Sequence, residues 1–222
     1  MSWITLIFSF FIFRILFQYP YVLAIVVLAY IFRDRIPDPS AWFQRRKNYK
    51  RLMYEVNVNP YDSTARRDLG MVLLEKHQPK EALGNFLEAL KKDADFGEVN
   101  HFTGLAYLRS GDAANAVGYL QRAIKLDPKL RYGESYLYLG EALTNLGKPE
   151  EALDALKIFL SINNTSIEGM YQYARALAAL GRKDEAKQAI EDGIKYHKNN
   201  PGFRRRRDWR SNVKLKALRR RM

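Results

Sequence analysis

From Ser63 to Asn200 the chain states one small pattern four times. A small residue recurs at Gly70, Gly104, Gly140 and Ala174, in steps of 34, 36 and 34 residues. Twelve residues after each comes an alanine: Ala82, Ala116, Ala152 and Ala186. Four positions further on stands a bulky apolar residue, Phe86, Leu120, Leu156 or Ile190. Between the two small positions lies another large apolar one, Leu73, Tyr107, Leu143 or Leu177. Two registers locked through four copies, sharing one two-residue insertion, confine the chain to folds in which one unit stacks on the next.

Each copy reads as two amphipathic helices separated by a break. The breaks fall at His77-Gln78-Pro79, Ser110-Gly111-Asp112, Gly147-Lys148-Pro149 and Gly181-Arg182-Lys183. Pro79 and Pro149 suit a first helical turn, where no amide donor is needed. Asp112 suits a cap for the orphan amides of the helix it opens. Small residues at the helix crossing let two backbones approach, while Leu, Phe and Tyr fill the space on either side. One such hairpin cannot bury its apolar face alone, but a stack can. The fold class expected is all-α, a solenoid of helix-turn-helix repeats.

The pattern resembles the tetratricopeptide repeat (TPR), whose period is 34 and which places Leu-Gly, Tyr, Ala, Phe, Ala and Pro at fixed offsets. Leu69-Gly70, Leu139-Gly140, Tyr107, Phe86, Ala89, Ala123 and Pro128 stand at those offsets. The copies are 63–96, 97–130, 133–166 and 167–200, with Arg131-Tyr132 as the insertion. The departures are Arg66, Asn100, Tyr136 and Met170 at the family's Trp position, and Phe159 where a small residue is usual. The closing Pro is also missing from three copies.

The resemblance implies protein binding, with partners lying along the concave surface built by the first helices. Its groove offsets fall on Arg67, Met71 and Leu74 in copy one, and on His101, Leu105 and Arg109 in copy two. They fall on Leu137, Tyr138, Glu141 and Asn145 in copy three, and on Tyr171, Gln172 and Arg175 in copy four. The Lys/Asn/Lys/Arg set with which one subset of the family clamps a C-terminal carboxylate is not at these offsets. A mixed aromatic and basic groove suits an extended segment or a helix with apolar anchors. The bland alternative is that these Leu and Tyr residues only pack between neighbouring helices.

Ahead of the repeats, Trp3 to Phe32 is an apolar run broken by Arg14, Gln18 and a few small or hydroxyl side chains. As a helix it would be about 45 Å long, more than the roughly 30 Å of a hydrocarbon core. The expected anchor is residues 1–33, with a single spanning helix at about 15–32. Trp3, Tyr19, Tyr21 and Tyr30 suit the boundary zones. A re-entrant hairpin breaking near Gln18-Tyr19-Pro20 is the alternative. A cleaved signal peptide lacks both its basic start and its cleavage site. Basic residues follow the run and, Arg14 aside, none precedes it, so the solenoid is expected on the cytoplasmic side.

Residues 34–39 hold Ile36-Pro37-Asp38-Pro39, a stiff joint. Ser40 is then expected to cap a helix running to about Val56, within an N-terminal capping segment at 40–60. Its apolar stripe is Trp42, Phe43, Tyr49, Leu52, Met53 and Val56, and Arg45, Arg46, Lys47, Lys50 and Arg51 form a basic face. The net charge of +13 is unevenly spread. Residues 57–194 carry 17 basic and 20 acidic side chains, whereas 195–222 carry 12 and 1. The tail, 201–222, reads as a basic capping helix with Trp209, Val213, Leu215 and Leu218 as its apolar stripe. Arg45, Arg46, Lys47 and Lys50, with Arg204, Arg205, Arg206 and Arg207, are candidate contacts for anionic lipid. Nucleic acid would also accept such charge, although there is no base-reading module.

The chain has no Gly-rich phosphate loop, no paired-carboxylate cleft and no activated-nucleophile signature. It has no cysteine, and its three histidines, His77, His101 and His197, are too widely spaced to read as metal ligands. They are expected at the surface or in the groove. No cofactor, metal or catalysis is expected. The function expected is a membrane-tethered TPR adaptor or scaffold that assembles proteins. The alternatives are a permanent subunit of a membrane complex, motivated by Arg14 and Gln18 in the apolar run, and a nucleic-acid or ribosome tether through the tail.

Overall fold

The computed structural model describes Pro39 to Met222, together with Trp3, Phe10, Arg14, Gln18, Tyr19, Tyr21, Val22, Ala24 and Val27. Two compact units result, Met1–Asn48 and Tyr49–Met222. Apart from those scattered positions, the expected spanning helix at 15–32 and the joint before Pro39 lie outside the described residues. Among the described residues, no helix is long and apolar enough to cross a membrane.

The helices are α1 (Pro39–Val58), α2 (Ser63–Glu75), α3 (Pro79–Lys92), α4 (Gly97–Arg109), α5 (Ala113–Leu126), α6 (Glu134–Asn145), α7 (Pro149–Ile162), α8 (Ile167–Ala179), α9 (Lys183–Asn199), α10 (Gly202–Arg207) and α11 (Trp209–Arg221). A 3₁₀ turn, Leu130–Gly133, precedes α6. The pairs α2/α3, α4/α5, α6/α7 and α8/α9 form the four hairpins, and each second helix packs on the next first helix. The first helices α4, α6 and α8 also touch in series. Helix α11 lies against α8 and α9, where the first helix of a fifth unit would sit.

Local chemistry sets the helix ends. Asp62 accepts from the amides of Thr64 and Ala65 at 2.9 and 3.0 Å, and Asp112 accepts from that of Asn115 at 3.1 Å. Pro79 and Pro149 open α3 and α7. The hairpin turns place His77, Gly111, Gly147 and Gly181 at φ of 58°, 88°, 72° and 74°. These four share one register, and glycine supplies the left-handed residue in all but the first. Helix α1 begins at Pro39, so Ser40, expected as its cap, lies inside the first turn, where proline's fixed φ suits the start. Its Leu52 and Val56 are buried with Leu69, Leu73 and Phe86. Met53, expected on that stripe, is exposed.

The small residues of the first helices do leave room, but chiefly for a side chain sixteen positions on. A Cβ added at Gly104 would lie 2.6 Å from Leu120 Cγ and 3.2 Å from the Ala116 carbonyl oxygen. At Gly70 it would strike the Phe86 ring, and at Gly140 it would strike Leu156. Phe86, Leu120, Leu156 and Ile190 are all fully buried. Each contributes on the order of 2 kcal/mol by leaving water. The alanine register is fully buried too, and it keeps the second helix close enough for that side chain to reach across.

The insertion is where the backbone is strained. Arg131, Tyr132 and Gly133 are consecutive left-handed residues, at φ of 49°, 57° and 77°. For the two that carry a Cβ this costs about 1–2 kcal/mol each. Gly133 is tightly held, since a Cβ there would come within 2.9 Å of Ile162 Cδ1.

Candidate protein-binding groove

Repeat positions bring the same side chains of successive first helices alongside one another, and the structure ties them into two polar ladders. The first starts at Arg67, which donates to Glu98 Oε2 at 3.0 Å and lies over the Phe96 ring. The equivalent residue one repeat later is His101, whose Nε2 is 3.8 Å from Glu134 Oε2 and has no hydrogen-bond partner. A cation for Glu134 comes instead from the insertion. Arg131 donates to Glu134 at 2.9 Å, comes within 4.0 Å of Glu98, and covers the Phe102 ring. One repeat further, Glu168 accepts from Ser211 at 2.8 Å and from Lys214 at 3.1 Å, both on α11.

The second ladder runs nearer the C-terminal ends of the first helices. Arg109 donates to Glu141 at 2.9 Å and lies over the Tyr138 ring. At the next step the roles reverse, and Arg175 donates to Asn145. Arg175 also donates to Gln172 at 3.0 Å, and Gln172 in turn donates to Glu168 at 3.0 Å. Lys214 lies 5.3 Å over the Tyr171 ring.

These contacts sort the expected groove residues. His101, Leu137 and Gln172 are buried and offer no contact surface, which corrects the expectation of a surface or groove histidine. His101 faces the neighbouring first helix, and Gln172 bonds to Glu168 and Arg175 of its own helix. His101 packs edge-on to Phe102 and tilted against Tyr138, and its Nδ1 is 2.9 Å from Ser135 Oγ. Burial, with Arg131 nearby, holds its pKa down to about 4, so the ring is neutral at pH 7. Burial likewise pushes the Tyr138 hydroxyl up to about 12. Met71, Leu74, Leu105, Tyr138, Glu141, Tyr171 and Arg175 are half-buried, Arg67 is half-buried within its ion pairs, and Arg109 and Asn145 are exposed. Leu74 and Leu105, with His77, Pro79 and Arg109, line a cavity of about 310 Å³.

Among the candidate lipid contacts, Arg46, Lys47, Lys50 and Arg204 to Arg207 are exposed, whereas the Arg45 side chain lies outside the described residues. The ladder carboxylates Glu98, Glu134 and Glu168 are absent from the expected groove set. Their signal was in the chain, for they stand 36 and 34 residues apart and form a further register of the same repeat. Among the described residues there is no His, Asp or Glu cluster that could hold a metal ion.

A tetratricopeptide-repeat family model matches residues 67–131 and 103–166, and a second matches 146–205. The DnaJ homolog subfamily C member 7 homolog of Schizosaccharomyces pombe is 26% identical over 163 residues. That match takes in 67% of this chain but only 34% of the relative, so the chain spans about a third of that protein's length. Among solved structures, MamA aligns with a TM-score of 0.61 at 21% identity, covering 68% of this chain and 86% of that one. TTC0263, a thermophilic TPR protein of Thermus thermophilus, aligns at 0.61 and 19%, covering 81% and 92%. YrrB, described as a TPR protein with an unusual peptide-binding site, aligns at 0.56 and 21%, covering 65% and 74%. At these identities the structural likeness speaks for the fold.

Proposed function

Because the chain belongs to the tetratricopeptide-repeat family, whose repeats are protein-interaction scaffolds, we propose that it holds a partner protein in the concave groove while tethered to a membrane. The observation that carries the groove reading is the wall shared by α4, α6 and α8. There Leu105, Tyr138 and Tyr171 present apolar and aromatic surface beside Arg109 and Arg175, and the cavity at Leu74 and Leu105 is large enough for an apolar side chain. An extended segment or a helix with apolar anchors and acidic neighbours fits that chemistry. The ion-paired ladders fix the spacing of these contacts in advance, which lowers the cost of ordering a site on binding.

The tether rests on the apolar run at 15–32 and on the basic residues that follow it, which orient the repeats toward the cytoplasm. Trp3, Phe10 and Tyr21 are exposed, a setting that suits lipid better than water. A second reading, a permanent subunit of a membrane complex, draws on Arg14 and Gln18. Polar groups in an apolar helix favour protein neighbours over lipid.

The test is a pull-down from solubilised membranes with Tyr138, Tyr171 and Arg175 changed to Ala, its folding checked by circular dichroism. The expected result is loss of partner proteins that the parent captures. Equal recovery from a folded variant removes the groove from the function.

A further inference from the structure

Helices α10 and α11 have two sides of opposite character. The inner side of α11 is spent on the solenoid. Leu215 is fully buried, and Leu218 and Met222 pack beside it against Ile167, Ala174 and Ile190. Gly193 makes room for this, since a Cβ there would lie 2.7 Å from Leu215 Cδ1. Ser211 and Lys214 fasten the same helix to Glu168.

The outer side is unlike a solvated helix face. Phe203 is 69% exposed and Trp209 59%, and Val213 stands one turn beyond Trp209. The sequence stripe Trp209, Val213, Leu215 and Leu218 is therefore split. At about 100° per residue, Val213 and Leu215 fall on nearly opposite sides of the helix, so only one pair can face the repeats. Around the outward aromatics lie Arg204 to Arg207, Arg210, Lys216 and Arg219 to Arg221, all exposed. The one acidic residue in 195–222, Asp208, is engaged by Arg207 at 2.9 Å.

We propose that this outer face docks on an anionic lipid bilayer. Phe203, Trp209 and Val213 enter the interfacial zone, and the arginines hold lipid phosphates. Water penalises the exposed aromatics, whereas the headgroup boundary accepts an aromatic body and its polar tip together. A cationic helix with an apolar outer stripe is the form that lies in a membrane interface. Charge alone would serve a nucleic acid and would leave the outward Val213 without a role. The docking residues are exposed side chains of α10 and α11, and none of them belongs to the candidate groove, so the groove is left to its protein partner.

The chain has three tryptophans, and changing Trp3 and Trp42 to Phe leaves Trp209 as the sole reporter in the full-length protein. Its fluorescence is read in vesicles of phosphatidylcholine alone and of phosphatidylcholine mixed with phosphatidylglycerol. The expected result is a blue shift and quenching by brominated acyl chains in the anionic vesicles only. Both are lost when Arg204, Arg205, Arg206 and Arg207 are changed to Gln, and both weaken at about 1 M salt, where charges are screened within roughly 3 Å. The readout is local to Trp209, so it holds whether or not residues 15–32 span the bilayer, and it is separate from the groove pull-down. Trp209 that stays red-emitting and open to aqueous quencher in anionic vesicles overturns the proposal. So does shielding of Trp209 by an RNA oligonucleotide but not by anionic vesicles, which would assign the face to nucleic acid.

Discussion

The junction between the second and third repeats and the junction between the third and fourth perform the same step by different means. At the earlier one the step is two residues longer, and the extra residues carry a side chain into the interface. Arg131 reaches Glu134 and Glu98 and covers Phe102. It supplies the cation that His101, standing where the first repeat has Arg67, does not supply when neutral. At the later junction nothing is inserted, and shape closes the gap. Phe159 is bulky where the first two repeats have Ala89 and Ala123, and Gly169 is small where they are followed by Val99 and Ser135. A Cβ at Gly169 would come within 2.5 Å of the Phe159 ring. The repeat thus fixes where two helices meet, and the contents of the meeting place are negotiated pair by pair.

The sharpest way to break this contrast is to exchange sizes at the later junction. Phe159→Ala leaves a cavity and is expected to cost about 3–5 kcal/mol. Gly169→Val overpacks the intact ring and is expected to cost about 1–3 kcal/mol. Together they recreate the Ala89 and Val99 pairing of the first junction, and the double variant should be more stable than the sum of the single costs allows by more than about 1 kcal/mol. Urea denaturation of the four proteins measures this. Strict additivity would mean that the two residues do not form a size-matched pair.

The same contrast explains what the chain made legible. The Gly, Ala and bulky registers gave the helices, the turns and the stacking, because close packing forces residue size at fixed spacing. The open face of the groove was only partly legible. A repeat offset says where a residue sits along a first helix, but not whether packing buries it, as it does His101, Leu137 and Gln172. Glu98, Glu134 and Glu168 form a register as regular as that of the glycines, yet their partners, Arg67, Arg131 and Lys214, keep no common spacing. The inserted Arg131 belongs to no repeat position at all. Trp209 and Leu215 differ only in which way α11 turns, and that is set by contacts with Ile167 and Ile190.

The earlier junction should be the pH-sensitive one. With its pKa near 4 in the folded protein against 6.5 in a free chain, His101 takes up its proton more readily when unfolded. Its contribution to stability is therefore full above pH 6.5 and is lost as pH falls from 6.5 toward 4. By about pH 5 the loss relative to neutral pH should be about 2 kcal/mol. Urea midpoints measured between about pH 7 and pH 5 check this, with His101→Gln as the control that flattens the slope. A parent with no slope in that range would show that Glu134, 3.8 Å from Nε2, accommodates the charged ring.

The smallest expected effect separates the two purposes of the insertion. Arg131 both strains the backbone and makes contacts, whereas Tyr132 is exposed and left-handed and makes no contribution to the buried clusters. Tyr132→Gly removes the clash of a Cβ in the left-handed region, about 1–2 kcal/mol, and loosens the unfolded chain, which offsets about half of that. A net gain of up to about 1 kcal/mol is expected, read as a small rise in Tm. Arg131→Gly relieves the same strain but loses the pairs with Glu134 and Glu98. Those pairs are partly exposed, with side chains 28–40% accessible, and so contribute about 1 kcal/mol or less. Its Tm should fall below that of Tyr132→Gly, because relief at position 131 is offset by the lost contacts and relief at position 132 is not. Equal Tm values for the two variants would mean that the inserted arginine only spans distance and that Glu134 needs no cation from it.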